Sequence, residues 1–276
     1  MNLNNIREGE LKDVFDALEE AFEQSGADYY IIGAMAKDIW YSRGEKIMRQ
    51  TKDVDFAIQV GSQEEYMAIR KYLKEKKGFA DYKGNEFVML TPGGVQVDIL
   101  PFGGVEIDGS VTLAGEGLSN ISVTGFTEVY QSGTQEVVME TGHRFKTATL
   151  PAIILLKLIA FDDRPEKRTK DPGDIAGIVT HFFDLQADLI YEKHSDLFLD
   201  ENDDRSLPEI AAIVIGREIK KIADDSDKLI DRLKQILESH IQQKEDSSFI
   251  RHMVAEIKGT AEEGLRILEL MLIGIQ

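Results

Sequence analysis

The sequence predicts a mixed α+β fold, a mixed sheet flanked by helices followed by a C-terminal helical region, and three observations lead there. The stretch DVDFAIQV, residues 53–60, sets Val54, Phe56, Ile58 and Val60 in alternation with Asp53, Asp55, Ala57 and Gln59, the two-residue period of a half-buried strand. Short apolar runs between glycine-rich breaks such as TPGG continue as far as residue 147, the texture of hairpins. Beyond FKTATLP that texture gives way to helical spacing.

The first element is a helix, because Leu11, Val14, Phe15, Leu18 and Phe22 form one stripe over residues 11–22. SGADYYIIGAMAKDIW then gives a glycine break, an apolar strand around Tyr29–Ile32, a tight turn at Gly33 and a second helix to about Arg43. After the DVDFAIQV strand come a helix over 62–77 and strands near 79–82, 86–91 and 95–100, the last two joined by TPGG. Further glycine-punctuated strands fill 104–147, where GEGLSN and FGGVEIDG read as turns. Pro151 opens the helical half, since its missing N–H would be unpaired in a first turn anyway. Helices then cover 151–162, 172–183, 185–193, 208–223, 226–243 and 248–274, with Thr260 and Glu263 as a capping box that restarts the last one after Gly259. The predicted domains are 1–147, an α/β unit, and 148–276, a helical one, with the acidic run at 200–207 as a possible linker.

A chain of 276 residues that is 42% hydrophobic can bury a real core. No window approaches the ~18 uncharged apolar residues of a membrane span, and the first residues carry no signal-peptide apolar region, so a cytoplasmic protein with no membrane contact is expected. With no cysteine, disulfides, thiolate metal sites and a cysteine nucleophile are excluded; any metal needs oxygen or imidazole ligands. The formal charge of −18 opposes general nucleic-acid binding, which rests on cations displacing counterions from phosphates. RKYLKEKK, the best basic candidate, carries the helical spacing Met67, Ile69, Tyr72, Leu73 and is read as a solvated helix face. The histidines, His143, His181, His194, His240 and His252, form no His-x-x-x-His pair and are read as surface or capping residues rather than ligands.

The chemistry concentrates on acids. Asp53 and Asp55 look out from one side of their strand, and Asp98 sits on a second apolar strand, GGVQVDIL, between Val97 and Ile99. An acid embedded in such a strand is costly unless exposed, paired or metal-bound. Three convergent aspartates would make a hard-cation site suited to Mg²⁺ and a triphosphate. Two such ions about 4 Å apart can activate a nucleophile and clamp a leaving pyrophosphate. Gly33 ends a strand and starts a helix, which puts backbone N–H groups and a positive helix end where phosphates can dock; a purely structural turn glycine remains the alternative.

This order of elements, a helix, a strand ending in GA, a helix, RQTKDVDFAI and a later strand VQVDIL, resembles the nucleotidyltransferase superfamily of the polymerase-beta type. Within it the chain looks like the AbiEii/AbiGii-type toxin nucleotidyltransferases of phage-defence and toxin–antitoxin systems, where an arginine and a threonine lead into the Asp-x-Asp pair; Arg49, Thr51, Asp53 and Asp55 match one by one. The resemblance covers about residues 10–175. In LLKLIAFDDRPEKRTKDPGDI, Lys157, Arg164, Arg168, Lys170, Asp171 and Asp174 occupy the family's lysine, Arg-rich turn and Lys-Asp-x-x-Asp-like segment. Lys157 stands among Ile153, Ile154, Leu155, Leu156, Leu158 and Ile159, so its stem is expected to be buried, with its head either on a triphosphate or snorkelling to water.

The resemblance implies a nucleotidyltransferase fold and Mg²⁺-dependent transfer of a nucleoside monophosphate from an NTP to a hydroxyl acceptor, a tRNA end or a protein side chain. It implies Asp53, Asp55 and Asp98 as metal ligands, Asp53, Asp55, Asp98, Lys157 and Asp174 as the catalytic residues, and Gly33, Ala34, Arg49, Thr51, Lys157 and Arg164 around the nucleotide. An antitoxin protein is the implied partner. One position departs from the pattern: the phosphate loop is usually Gly-Ser, whereas Ala34 supplies no hydroxyl and leaves only backbone N–H groups. A catalytically silent protein that binds nucleotide or a partner protein is the alternative that this departure favours.

Overall fold

The computed structural model describes residues 8–43, 53–115, 117–199 and 204–276. Two compact units divide the chain: Met1–Tyr130 with Thr134–Thr149, and Gln131–Gly133 with Leu150–Gln276. Among the described residues no helix is long and apolar enough to cross a membrane.

The first unit opens with α1 (Glu8–Ser25), whose predicted stripe is buried throughout. Strand β1 (Tyr29–Ile31) runs into α2 (Gly33–Arg43), and β2 (Asp53–Gln59) precedes α3 (Gln63–Lys77). The Ser62 hydroxyl caps α3 by accepting from the Glu65 N–H, and Gly78 ends it in a left-handed conformation. Then come β3 (Ala80–Asp81), β4 (Val88–Leu90), β5 (Gln96–Phe102), β6 (Ser110–Thr112), β7 (Asn120–Ser122), α4 (Phe126–Ser132), β8 (Thr134–Val138) and β9 (Arg144–Ala148). The seven-stranded sheet has the order β3-β4-β5-β2-β1-β9-β8, while β6 and β7 pair separately. It is mixed: β2 runs parallel to β5, and β1 to β9, while the other neighbours are antiparallel. The sequence reading of 104–147 as strands missed α4.

Alternation in β2 sorts its side chains between two covered faces. Phe56 meets Phe15 and Phe22 of α1 and Phe145 of β9 edge to face at 5.5–6.4 Å between ring centres. Fully buried, Phe56 contributes about 1.5–3 kcal/mol from its own burial. On the opposite face Tyr30 packs on Phe102 at 5.7 Å and donates its hydroxyl to the Phe126 carbonyl at 3.0 Å. That second cluster closes the C-terminal ends of β2 and β5, so the polar residues of the same face, Asp53, Asp55 and Asp98, occupy the other ends of the two strands.

Two readings of this unit are corrected. Within RKYLKEKK, Arg70 is buried, donating to the Glu86 carbonyl at 2.6 Å and pairing with Asp81 at 2.8 Å; a guanidinium with that many acceptors does not need solvent. Histidines are not confined to the surface either: His143 is buried against Phe145, with Nε2 3.0 Å from Asp16 and Nδ1 2.9 Å from Thr141, while His194 in the second unit is buried 2.8 Å from Glu218, although it does occupy the C-cap of its helix. Polar partners make burial of an imidazole affordable.

The second unit is helical: α5 (Leu150–Asp163), α6 (Asp171–Leu185), α7 (Ala187–Lys193), α8 (Leu207–Ile222), α9 (Asp227–Gln243), α10 (Ser248–Ile257) and α11 (Ala261–Ile275). Thr260 and Glu263 form the expected capping box at the start of α11. Ile210, Ile213 and Val214 of α8 and Ile267, Leu268 and Met271 of α11 are buried, and α8 packs on α5, α6 and α11. Where α8 crosses α11 the backbones touch at two glycines: a Cβ on either Gly216 or Gly274 would lie 2.8 Å from the other's Cα. Half of the expected linker, residues 200–203, lies outside the described residues.

Candidate active site

Gly33 is where chain direction and helix start are decided together. The Ile32 N–H donates to the Asp55 carbonyl at 3.0 Å, which pins the end of β1 beside β2, and Gly33 then turns with φ +65° into α2. An alanine is disfavoured there twice over. Its Cβ would lie 2.5 Å from Asp55 Oδ2 and 2.9 Å from Cγ, and left-handed φ strains any side chain with a Cβ. The Asp55 carboxylate therefore rests directly on the first residue of a helix, at its positive end. Both Gly33 and Ala34 are half-buried.

Register brings the third acid in. In the parallel β2–β5 pair, Asp55 stands opposite Asp98 and Asp53 opposite Gln96. Neighbouring strands lie about 4.8 Å apart and successive same-face residues about 6.6 Å, so the three acids and Gln96 form a small rectangle on one face. Asp53 is exposed, while Asp55, Gln96 and Asp98 are half-buried. Gln96 Nε2 donates to Asp98 Oδ1 at 3.0 Å. Among the described residues no group of three or more histidine, aspartate or glutamate side chains has its donor atoms drawn together as for a metal ion. Backbone placement and the hard oxygen donors fit a divalent cation; Asp98 is held by the glutamine and Asp55 is seated against Gly33. Arg49 and Thr51 lie outside the described residues.

The remaining predicted residues belong to the second unit. Lys157, on α5, points its ammonium at two carboxylates of the first turn of α6, Asp171 at 2.6 Å and Asp174 at 2.9 Å. Only 14% of the lysine side chain is exposed, so its head is neither in water nor snorkelling. Burial opposes its charge, but Asp171 and Asp174 outweigh that and hold its pKa above the ordinary lysine value. Arg164, half-buried, starts the tight turn that leads from α5 to α6, with its carbonyl accepting from Lys167 and Arg168 N–H groups. Asp171, the shorter of the two pairings, was visible in the motif but not singled out for a role; its signal was three-residue spacing from Asp174, which places both on one side of a first helical turn. Gln96 was missed altogether because nothing in its local sequence reveals the cross-strand register.

A mixed sheet, a helix begun on a glycine after its strand, and an Asp-x-Asp strand in register with a third aspartate give the fold of a nucleotidyltransferase, the class the sequence resemblance implied. The chain belongs to the family described as nucleotidyl transferase AbiEii toxin, type IV toxin–antitoxin system, whose model matches residues 16–258. Among solved structures it is similar to the solution structure of the antibiotic-resistance factor ANT(2'')-Ia, at 12% identity over 86% of this chain and 95% of that one, with a TM-score of 0.36. No curated protein matches the sequence.

Proposed function

We propose that this nucleotidyltransferase moves a nucleoside monophosphate from an NTP to a hydroxyl acceptor with the help of Mg²⁺, the acceptor being an RNA end or a protein side chain. The register that sets Asp98 opposite Asp55 on parallel strands carries the reading, because it gathers half-buried carboxylates, the hard oxygen donors a divalent cation takes, on one face beside the start of a helix. Asp53, Asp55 and Asp98 are the residues that would hold Mg²⁺, which when bound neutralises the triphosphate and the leaving pyrophosphate. The acceptor oxygen forms a bond to the α-phosphorus, the bond from that phosphorus to the bridging oxygen breaks, and pyrophosphate leaves. Asp98 takes the hydroxyl proton. Backbone N–H groups at Gly33 and Ala34 offer donors to phosphate oxygens without a serine hydroxyl.

Arg49 and Thr51 keep the nucleotide roles that the resemblance implies, and so does Arg164. Lys157 and Asp174 enter as part of a trio with Asp171. An ammonium balanced by two carboxylates offers no net positive charge, so contact of Lys157 with a triphosphate requires one aspartate to let go. The type IV toxin–antitoxin description of the family supports an antitoxin protein as the proposed partner, and a cytoplasmic location is part of the same proposal. The charge of −18 weighs against general nucleic-acid binding and so favours a specific acceptor. Ala34 is the observation that favours the silent-binder reading.

The test is incubation of the protein with each labelled NTP, Mg²⁺ and cell extract, followed by identification of the labelled product. Label in an RNA or protein that disappears with Asp55→Asn supports transfer. No labelled product with any NTP refutes it, and stabilisation by NTP without transfer would leave the silent binder.

A further inference from the structure

We infer that Gln96 is a positioning residue of the transfer site, acting through Asp98. The inference rests on the function proposed above. Gln96 occupies the fourth corner of the rectangle whose other corners are Asp53, Asp55 and Asp98: it faces Asp53 across the strands and precedes Asp98 by two residues on the same face of β5. Its Nε2 donates to Asp98 Oδ1 at 3.0 Å. Three carboxylates at the other corners are acceptors only, so the glutamine amide brings a hydrogen-bond donor into the rectangle itself.

Two consequences follow from chemistry. A carboxylate on a strand turns about two side-chain bonds, and one engaged oxygen fixes both, leaving Asp98 aimed for the acceptor proton rather than searching for it. The amide also sets a fixed dipole beside crowded negative charge without adding a cation that would compete for the triphosphate. A glutamine serves this place where a lysine would cancel one of the acids outright.

Gln96→Met keeps length and removes the donor; Gln96→Thr, which suits a strand, removes the reach and serves as the second variant. In the full chain, both should lower kcat on the order of 10- to 100-fold, the scale of a hydrogen bond to a charged group, with KM for the NTP changed by less than about threefold. The melting temperature, and its rise on adding Mg²⁺ with NTP, should stay within about 2 °C of wild type, because Asp53 and Asp55 remain. A purely structural glutamine would lower the melting temperature and leave kcat alone. Full kcat in either folded variant overturns the inference and leaves the transfer reading standing. A wild-type protein inactive with every NTP removes both.

Discussion

Gly33→Ala tests the closest contact of the site. The new Cβ would lie 2.5 Å from Asp55 Oδ2, 2.9 Å from its Cγ and 3.2 Å from its Cβ. Holding alanine at φ +65° costs about 1–2 kcal/mol, and pushing the carboxylate off its seat adds an overpacking cost of about 1–3 kcal/mol. The substitution should therefore destabilise the first unit by about 2–5 kcal/mol. In an Asp55→Ala background only the backbone strain and the Cβ contact remain, and the cost should drop to about 1–2 kcal/mol, a coupling of about 1–3 kcal/mol. The assay is urea unfolding followed by fluorescence of Trp40, the chain's single tryptophan, which is buried in α2 and donates to the Ala148 carbonyl at 2.7 Å. Equal cost in both backgrounds, or a neutral Gly33→Ala, would refute the close approach of Asp55 to the helix start.

Asp55→Asn should abolish the rise in melting temperature that Mg²⁺ with NTP gives, since it removes a charged oxygen donor; a wild type unmoved by any NTP with Mg²⁺ would count against the site. Lys157→Met strands two carboxylates and should cost the second unit about 3–5 kcal/mol by urea unfolding, whereas a loss under 1 kcal/mol would mean the trio is solvated. Because the folded Lys157 pKa is raised, its contribution is complete below the ordinary lysine value near 10.5 and is lost as pH climbs through the higher folded value, so the wild-type advantage over Lys157→Met should shrink only at strongly alkaline pH. Gly274→Ala forces α11 off α8, where a Cβ meets the Ile213 carbonyl and lies 2.8 Å from Gly216 Cα, and should lower stability by about 1–3 kcal/mol in thermal or urea unfolding; an unchanged midpoint would mean the crossing is looser than described.

Much of the fold was legible because regular periods leave local marks. The α1 stripe and the alternation in β2 needed only neighbours a few residues apart, and the Thr260–Glu263 capping box is a four-residue signature. Helix α4 escaped because seven residues make two turns, too few to repeat a stripe among glycine-rich strands. Arg70 looked solvated for a related reason: its partners, Asp81 and the Glu86 carbonyl, are supplied by a loop and a strand beyond its own helix. At the site, Asp53, Asp55, Asp98 and Gly33 stood out by chemistry and phase, yet only pairing could show that Asp98 falls opposite Asp55 and that Gln96 completes the face. Lys157 illustrates the same limit: its apolar setting announced burial, while the choice among water, phosphate and carboxylate depended on where α6 begins.

The place of β9 between β1 and β8 has a consequence for synthesis. Ile31 pairs with Thr147, roughly 115 residues further along, which at about 5–20 residues per second reaches the growing chain some 6–23 s later. Until then β1 is an open edge, and Phe15, Tyr29 and Phe56 lack the Phe145 ring that completes their cluster. The helices beyond Leu150 join through shorter-range pairings such as α5 with α6 and α10 with α11. A nascent chain that pauses before β9 emerges thus displays an unpaired strand beside exposed aromatic rings, the kind of surface on which a chaperone or an unwanted neighbour acts, and a few further residues remove it.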